Sequence, residues 1–175
     1  MHCAKANIIT DPNGTQFTAF SPGPVVDRAT WATHLQNQPF GSMDIFVCAP
    51  FPIPLMQSAL EITKASNPNI FNLWVPGQYA DSMQADELRI AVKACDLLVG
   101  NAHEIDHIRR TAPGCLTGKS VIETDGARPV RALLSDGNQR TLPTPAVSPM
   151  VDPTGCGDAF VAGLIPSLLQ TFDTL

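Results

Sequence analysis

The chain has 175 residues, enough for one domain with a sizeable core. Its 44% hydrophobic and 15% charged content excludes a disordered chain. A net charge of −5, with no lysine- or arginine-rich run, speaks against a nucleic-acid or anionic-membrane partner.

In chain order, residues 6–10 and 16–20 are β-prone and flank the turn sequence Asp11-Pro12-Asn13-Gly14, so the chain opens with a hairpin. The spacing predicts a short helix over 28–36. From Asp44 the rhythm changes. Short apolar runs at 44–48, 70–75, 96–100 and 119–124 read as buried strands. Helical patterns lie between them at 55–64 and 85–95, the second with Leu88, Ile90, Ala91 and Ala94 as its apolar side. Asn101 is placed to cap a helix after the third of these strands. A hairpin turning at Asp136-Gly137-Asn138 follows. The last helix starts near Asp158, and Pro166 within it is expected to kink or end it.

Five scattered cysteines (Cys3, Cys48, Cys95, Cys115 and Cys156) include no CxxC pair and read as reduced thiols of a cytoplasmic protein. No apolar leader segment follows Met1. The longest apolar stretch, 45–56, is interrupted by Pro50, Pro52 and Pro54, so neither a signal peptide nor a membrane span is expected.

Strands alternating with helices imply βαβ units and a parallel sheet. Ligands of such sheets bind beyond the carboxyl ends of the strands. That rule points to residues 101–104, 124–126 and 155–157. The last of these is a glycine turn, Thr154-Gly155-Cys156-Gly157-Asp158, directly before a helix. Two glycines around one small residue permit a tight fold of the backbone. Amides gathered at a helix start suit a transferring phosphoryl group, and Asp158 is placed to accept a hydroxyl proton. By itself the same turn is equally a helix cap made by Thr154 or Asp158. Cys156 as a nucleophile activated by the helix end is a further reading, with no histidine near it in sequence to support it.

The longer string VDPTGCGDAFVAGL, residues 151–164, closely resembles the C-terminal signature of the ribokinase/PfkB carbohydrate kinase family. Its cysteine form is most similar to the bacterial adenosine-kinase-like branch. The resemblance implies that Asp158 is the catalytic base and that Gly155, Cys156 and Gly157 form an anion hole. Asp152 and Thr154 fall where many members bind a monovalent cation, K⁺. Asn101-Ala102-His103-Glu104 resembles the family's N-x-x-E element, which implies Asn101 at the phosphates and Glu104 acting on Mg²⁺ through water. Thr124-Asp125-Gly126 resembles its T-x-G element, which lies along the nucleotide phosphates. Each pattern alone reads as a cap or a strand-end turn. Their order along the chain, each after an expected strand, is that of the family.

The resemblance extends to 7–23, similar to the strands that end the family's lid. It also includes Val75-Pro76-Gly77-Gln78, similar to a D-P-G-Q segment with Val75 in place of Asp. The family's N-terminal portion, with most substrate-binding residues, and its closing adenine-side segment have no counterpart here. Val161 stands where the branch often has Arg. What the resemblance implies is an α/β, ribokinase-like (Rossmann-like) three-layer αβα fold with a largely parallel sheet, incomplete at both ends. One partial kinase domain spans 1–175, with lid-end strands in 1–24 and the core in 44–175. The implied activity is ATP- and Mg²⁺-dependent phosphorylation of a hydroxymethyl group on a small molecule, a nucleoside (adenosine favoured) or a sugar, weak or absent in this chain alone. The alternative is a truncated, non-catalytic nucleotide-binding homologue.

His103-Glu104-Ile105-Asp106-His107 also reads as HExxH, a zinc-protease pattern. Against it, Asp106 lies between the two histidines, Arg109 and Arg110 follow at once, and His103 falls in the opening turn of its helix. No third ligand is evident downstream.

Overall fold

The computed structural model describes residues 3–11, 16–21, 23–24, 26–146 and 152–172. The opening hairpin forms as expected: β1 (Lys5–Thr10) pairs antiparallel with β2 (Gln16–Ser21), Ile9 opposite Phe17. Apart from Asp11, the turn read between them lies outside the described residues. This hairpin is a separate two-stranded sheet, and Ile9 and Phe17 are both exposed. Helix α1 (Arg28–Gln36) begins where the spacing places it, because Asp27 accepts the Thr30 amide at 3.0 Å. It lies along the next helix, to which Trp31 donates an indole bond at Leu55 O (3.0 Å).

The main sheet has six strands in the order β3 (Ile45–Cys48), β4 (Phe71–Trp74), β5 (Leu97–Asn101), β6 (Ser120–Asp125), β7 (Arg128–Leu133) and β8 (Gln139–Leu142). Strands β3 to β6 run parallel, and β7 and β8 return antiparallel. The connections are α2 (Ile53–Ser66), α3 (Ala85–Ala94) and α4 (Ala102–Thr111). Crossovers between parallel neighbours are right-handed. A sheet that grows steadily in one direction therefore receives these three helices on one face. There Met56, Leu60, Leu88, Ala91, Ile105 and Ile108 pack with Trp74, Leu98 and Val121. Strand alternation sends Leu73, Leu97, Val99 and Ile122 to the other face. Helix α5 (Cys156–Phe172) covers it with Phe160, Val161, Leu164, Ile165 and Leu168, a helical stripe. Three layers result, helices on both sides of a largely parallel sheet.

Two expectations need correction. On α3 the buried residues are Leu88, Ala91 and Val92, and Ile90 is 43% exposed. Two residues separate Ile90 from Leu88, which turns it well over a right angle around the helix, so it does not share that face. Of the two outcomes expected at Pro166, a kink or an end, the end does not occur: α5 runs on to Phe172. Sheet contacts on both sides of Pro166, from Leu164 and Ile165 to Leu168, hold the helix through the lost backbone bond. By contrast, Pro54 sits in the first turn of α2, where a proline costs nothing.

Burial pushes the thiols of Cys48 and Cys95 up to about 12, so both are packing groups rather than reactive ones. Among the described residues, no helix is long and apolar enough to cross a membrane.

Candidate active site

Strands β4, β5 and β6 end at the same edge of the sheet, beside the start of α5. A cleft of about 380 Å³ opens there. Asn101, His103 and Glu104 reach it from the β5–α4 junction, and Thr124 from the end of β6. Gly157, Asp158, Phe160 and Val161 reach it from α5. Five residues singled out in the sequence thus share one cavity, although 57 positions separate the first from the last by number (Asn101 to Asp158). Gly126, Asp152, Thr154, Gly155 and Cys156 belong to the adjoining turns and do not line it.

The N-x-x-E element is a reciprocal cap. Asn101 Oδ1 accepts the Glu104 amide at 2.9 Å, and Glu104 returns its carboxylate to the Asn101 amide (3.0 Å) and Nδ2 (2.9 Å). Close packing supports the pair, since a Cβ on Gly100 would lie 3.0 Å from Glu104 Oε2. Burial raises the Glu104 carboxyl above the ordinary glutamate range, with the nearby Asp81 charge adding to the rise and the Asn101 amide opposing it. A carboxyl raised in the folded state binds its proton more tightly there than when unfolded. This contribution to stability is present at low pH and is lost as pH rises through the interval just above the ordinary glutamate value. The Glu104 side-chain carbon, followed by ¹³C NMR, is expected to titrate above the ordinary glutamate value; a midpoint at or below that value would contradict it.

Thr124 stands in register with Asn101, and its hydroxyl lies 3.5 Å from Gly100 O. The turn after it is closed by Gly126, whose φ of +58° favours glycine. In the last turn Gly155 has φ +79°. The Cys156 amide donates to Pro153 O (3.2 Å), so it is engaged within the turn in this conformation. The Thr154 amide donates to Asp152 Oδ1 (2.9 Å). Hydrogen bonds from the Thr154 hydroxyl and amide lower the Asp152 carboxyl. Asp158 lies in the first turn of α5, where helix amides lack intrahelical partners and a carboxylate is favoured.

The floor of the cleft is a 3-10 turn at Gly77–Ser82 that follows β4; the sequence reading named its start, Gly77 and Gln78, only as a family segment and missed Asp81. Gly77 (φ +55°) packs it against Pro50, where a Cβ would come within 2.6 Å of Cγ. The turn supplies Gln78 and Asp81. The signal available was its place, directly after a parallel strand. Asp81 also settles the HExxH pattern. His103 Nε2 lies 3.3 Å and His107 Nδ1 3.8 Å from its carboxylate, and His107 Nε2 pairs with Thr111 Oγ1 at 3.1 Å. With Glu104 committed to the cap, this is a helix start leaning on Asp81, not a zinc-protease helix.

Among the described residues, the lining carries three carboxylates, Asp81, Glu104 and Asp158, and no lysine or arginine. Such a cleft takes a polyphosphate only together with a cation. Oxygen donors of this kind suit Mg²⁺, which keeps most of its waters. Among the described residues, no group of three or more His, Cys, Asp or Glu forms a cage for a metal ion. The donor set suits a hydrated divalent ion touched through water rather than one held in a protein cage.

A largely parallel sheet with helices on both faces and a cleft at its carboxyl edge is a doubly wound α/β arrangement, and its likeness to ribokinase-family structures makes the fold ribokinase-like. The chain matches the pfkB family of carbohydrate kinases over residues 2–173 and belongs to that family. A nucleoside kinase of Methanothermobacter thermautotrophicus is 33% identical over 114 residues, 56% of this chain and 33% of that protein. The nucleoside kinase of Burkholderia thailandensis in complex with inosine superposes with a TM-score of 0.79 at 24% identity, covering 93% of this chain and 52% of that one. The adenosine kinase of Anopheles gambiae, in complex with P1,P4-di(adenosine-5) tetraphosphate, gives 0.75 at 20% identity, covering 96% and 57%. The chain therefore spans about half the length of these solved structures and a third of the nucleoside kinase matched in sequence.

Proposed function

We propose that this chain carries the phosphoryl-transfer half of an ATP-dependent kinase whose acceptor is the hydroxymethyl group of a nucleoside, adenosine before other ribonucleosides, or of a sugar. One observation carries the reading: a single cleft holds Asp158 and Gly157 opposite Asn101, Glu104 and Thr124. Bound Mg²⁺-ATP supplies the phosphoryl group and the cation that the acidic lining requires. Asp158 takes the proton of the acceptor hydroxyl as attack begins. Amides at the start of α5, from Gly155, Cys156 and Gly157, stabilise negative charge on the transferring group. The Cys156 amide does so once it is released from Pro153 O. Asn101 orients the phosphates, and Glu104 holds water on the metal. Thr124 and Gly126 line the nucleotide. Asp152 and Thr154 provide the position for a monovalent cation. The nucleoside preference is supported by the branch similarity of the glycine turn and by the nucleoside and adenosine kinases among the relatives.

The test is a titration of the ¹⁵N-labelled chain with Mg²⁺-ATP. Amide signals of Asn101, Glu104, Thr124, Gly126, Gly157 and Asp158 are expected to move together with one affinity. Saturating nucleotide that leaves these signals in place would overturn the reading.

A further inference from the structure

Glu123 is a buried acid with no place in the cleft. Side chains alternate along a strand, so it projects to the face opposite Thr124, its neighbour in β6. Its side chain is 5% exposed and is gripped from two elements. Arg109 of α4 reaches Oε2 at 3.1 Å, and Arg131 of β7, directly across the ladder, bonds Oε1. Both guanidiniums border a second cleft of about 270 Å³ on that far face.

The place of this cluster in the ladder gives it a task. The β6–β7 register shifts between Glu123 and Asp125, so Thr124 sits at the irregularity. Such shifts re-aim side chains and need to be pinned. Charge pairs flank this one on both sides: Glu123–Arg131 before it, and Asp125–Arg128 (2.7 Å) after it. Toward β5, Glu123 stands opposite Gly100 and Thr124 opposite Asn101. Arg109 lies five residues along α4 from Glu104. A buried ion pair is a weak source of net stability, and its best-attested use is to select one register.

We propose that Glu123, clamped by Arg109 and Arg131, is a positioning residue that fixes Thr124 and the first turn of α4 for the nucleotide. This rests on the Mg²⁺-ATP reading of the cleft. Without the carboxylate, two guanidiniums face each other across the β6–α4–β7 junction and repel. The bulge then loses its pin, and Thr124 and Glu104 lose their common frame.

The experiment is calorimetric titration of Mg²⁺-ATP into the wild-type chain, Glu123→Gln and Arg131→Met, each well below its melting temperature. The Thr124, Gly126 and Leu73 amides are followed by NMR in parallel. Affinity is expected to fall roughly tenfold in both variants, the scale seen when groups that orient a ligand-binding residue are removed. The Thr124 and Gly126 signals should move while Leu73, deep in β4, stays. Should Glu123→Gln fail to fold, Arg131→Met carries the test, since that guanidinium is 60% exposed. Unchanged affinity in the folded variants, or weaker binding with Thr124 and Gly126 unmoved, overturns the positioning role alone. A wild-type chain that binds no Mg²⁺-ATP overturns it together with the reading beneath it.

Discussion

Replacing Asp158 by Asn is expected to lower phosphoryl transfer about 10³-fold while leaving Mg²⁺-ATP affinity within about twofold. Asparagine keeps the size of the side chain and its place in the first turn of α5, but it cannot take the hydroxyl proton. The loss therefore falls on the chemical step and not on nucleotide binding. The measurement is ADP release in a polypeptide that joins residues 1–175 to the remaining half found in the relatives. Full activity in Asp158→Asn would remove Asp158 from its role. The 175 residues alone are expected to turn over below about 1 s⁻¹, the lower end of ordinary kinases. No described residue of the β1–β2 hairpin lines the cleft, so the hairpin does not shield it from water in this conformation. Ordinary kinase rates from the isolated chain would refute this, and would also dismiss the non-catalytic alternative.

The second large effect concerns stability. Asn72, fully buried in the middle of β4, donates from Nδ2 to Leu60 O and to Ala94 O, each at 3.0 Å. Its Oδ1 accepts from Thr63 Oγ1 at 3.0 Å. The Asn72 amide donates to Asp96 Oδ2 (2.8 Å), which also pairs with Lys64 at 2.7 Å. The side chain thus joins β4 to α2 and to the end of α3. Asn72→Leu fits the volume but takes away the donor that serves Leu60 O and Ala94 O, while the Thr63 hydroxyl keeps Ala59 O (2.9 Å) and Leu60 O (3.0 Å) within reach. Each carbonyl that loses this donor carries its own desolvation cost, and the sum is expected to be about 3 kcal/mol, a fall in Tm of about 10 °C. Thermal unfolding of the variant checks it; a fall of a degree or two would show that the carbonyls find other donors.

Much of the architecture was readable residue by residue. Asp27 and Asn101 mark helix starts because a side-chain oxygen there satisfies free amides, which is a local transaction. The apolar runs that became β3 to β6 are too short for helices and are separated by helical patterns, so their alternation already meant a parallel sheet. The residues that line the cleft were legible for a related reason. In such a sheet the strand ends form one edge, and Asn101, Thr124 and Asp158 each follow an expected strand or open a helix there.

What escaped the sequence depends on partners far away along the chain. Asn72 in an apolar run gives no local sign of the three elements it joins. Asp81 became part of the cleft only because a glycine turn packs onto Pro50. Pro166 breaks helices in isolation, yet packing against β3 to β6 carries α5 past it. Glu123 reads as a polar residue in a strand until Arg109 and Arg131 close on it. The sequence by itself determined the alternation of elements, their caps and which polar residues stand at each strand end, because those follow from period, local hydrogen bonding and residue type. Only the tertiary structure decided which charges are buried together and which residues meet in the cleft, because burial and pairing belong to neighbours in space, and strand order sets those neighbours.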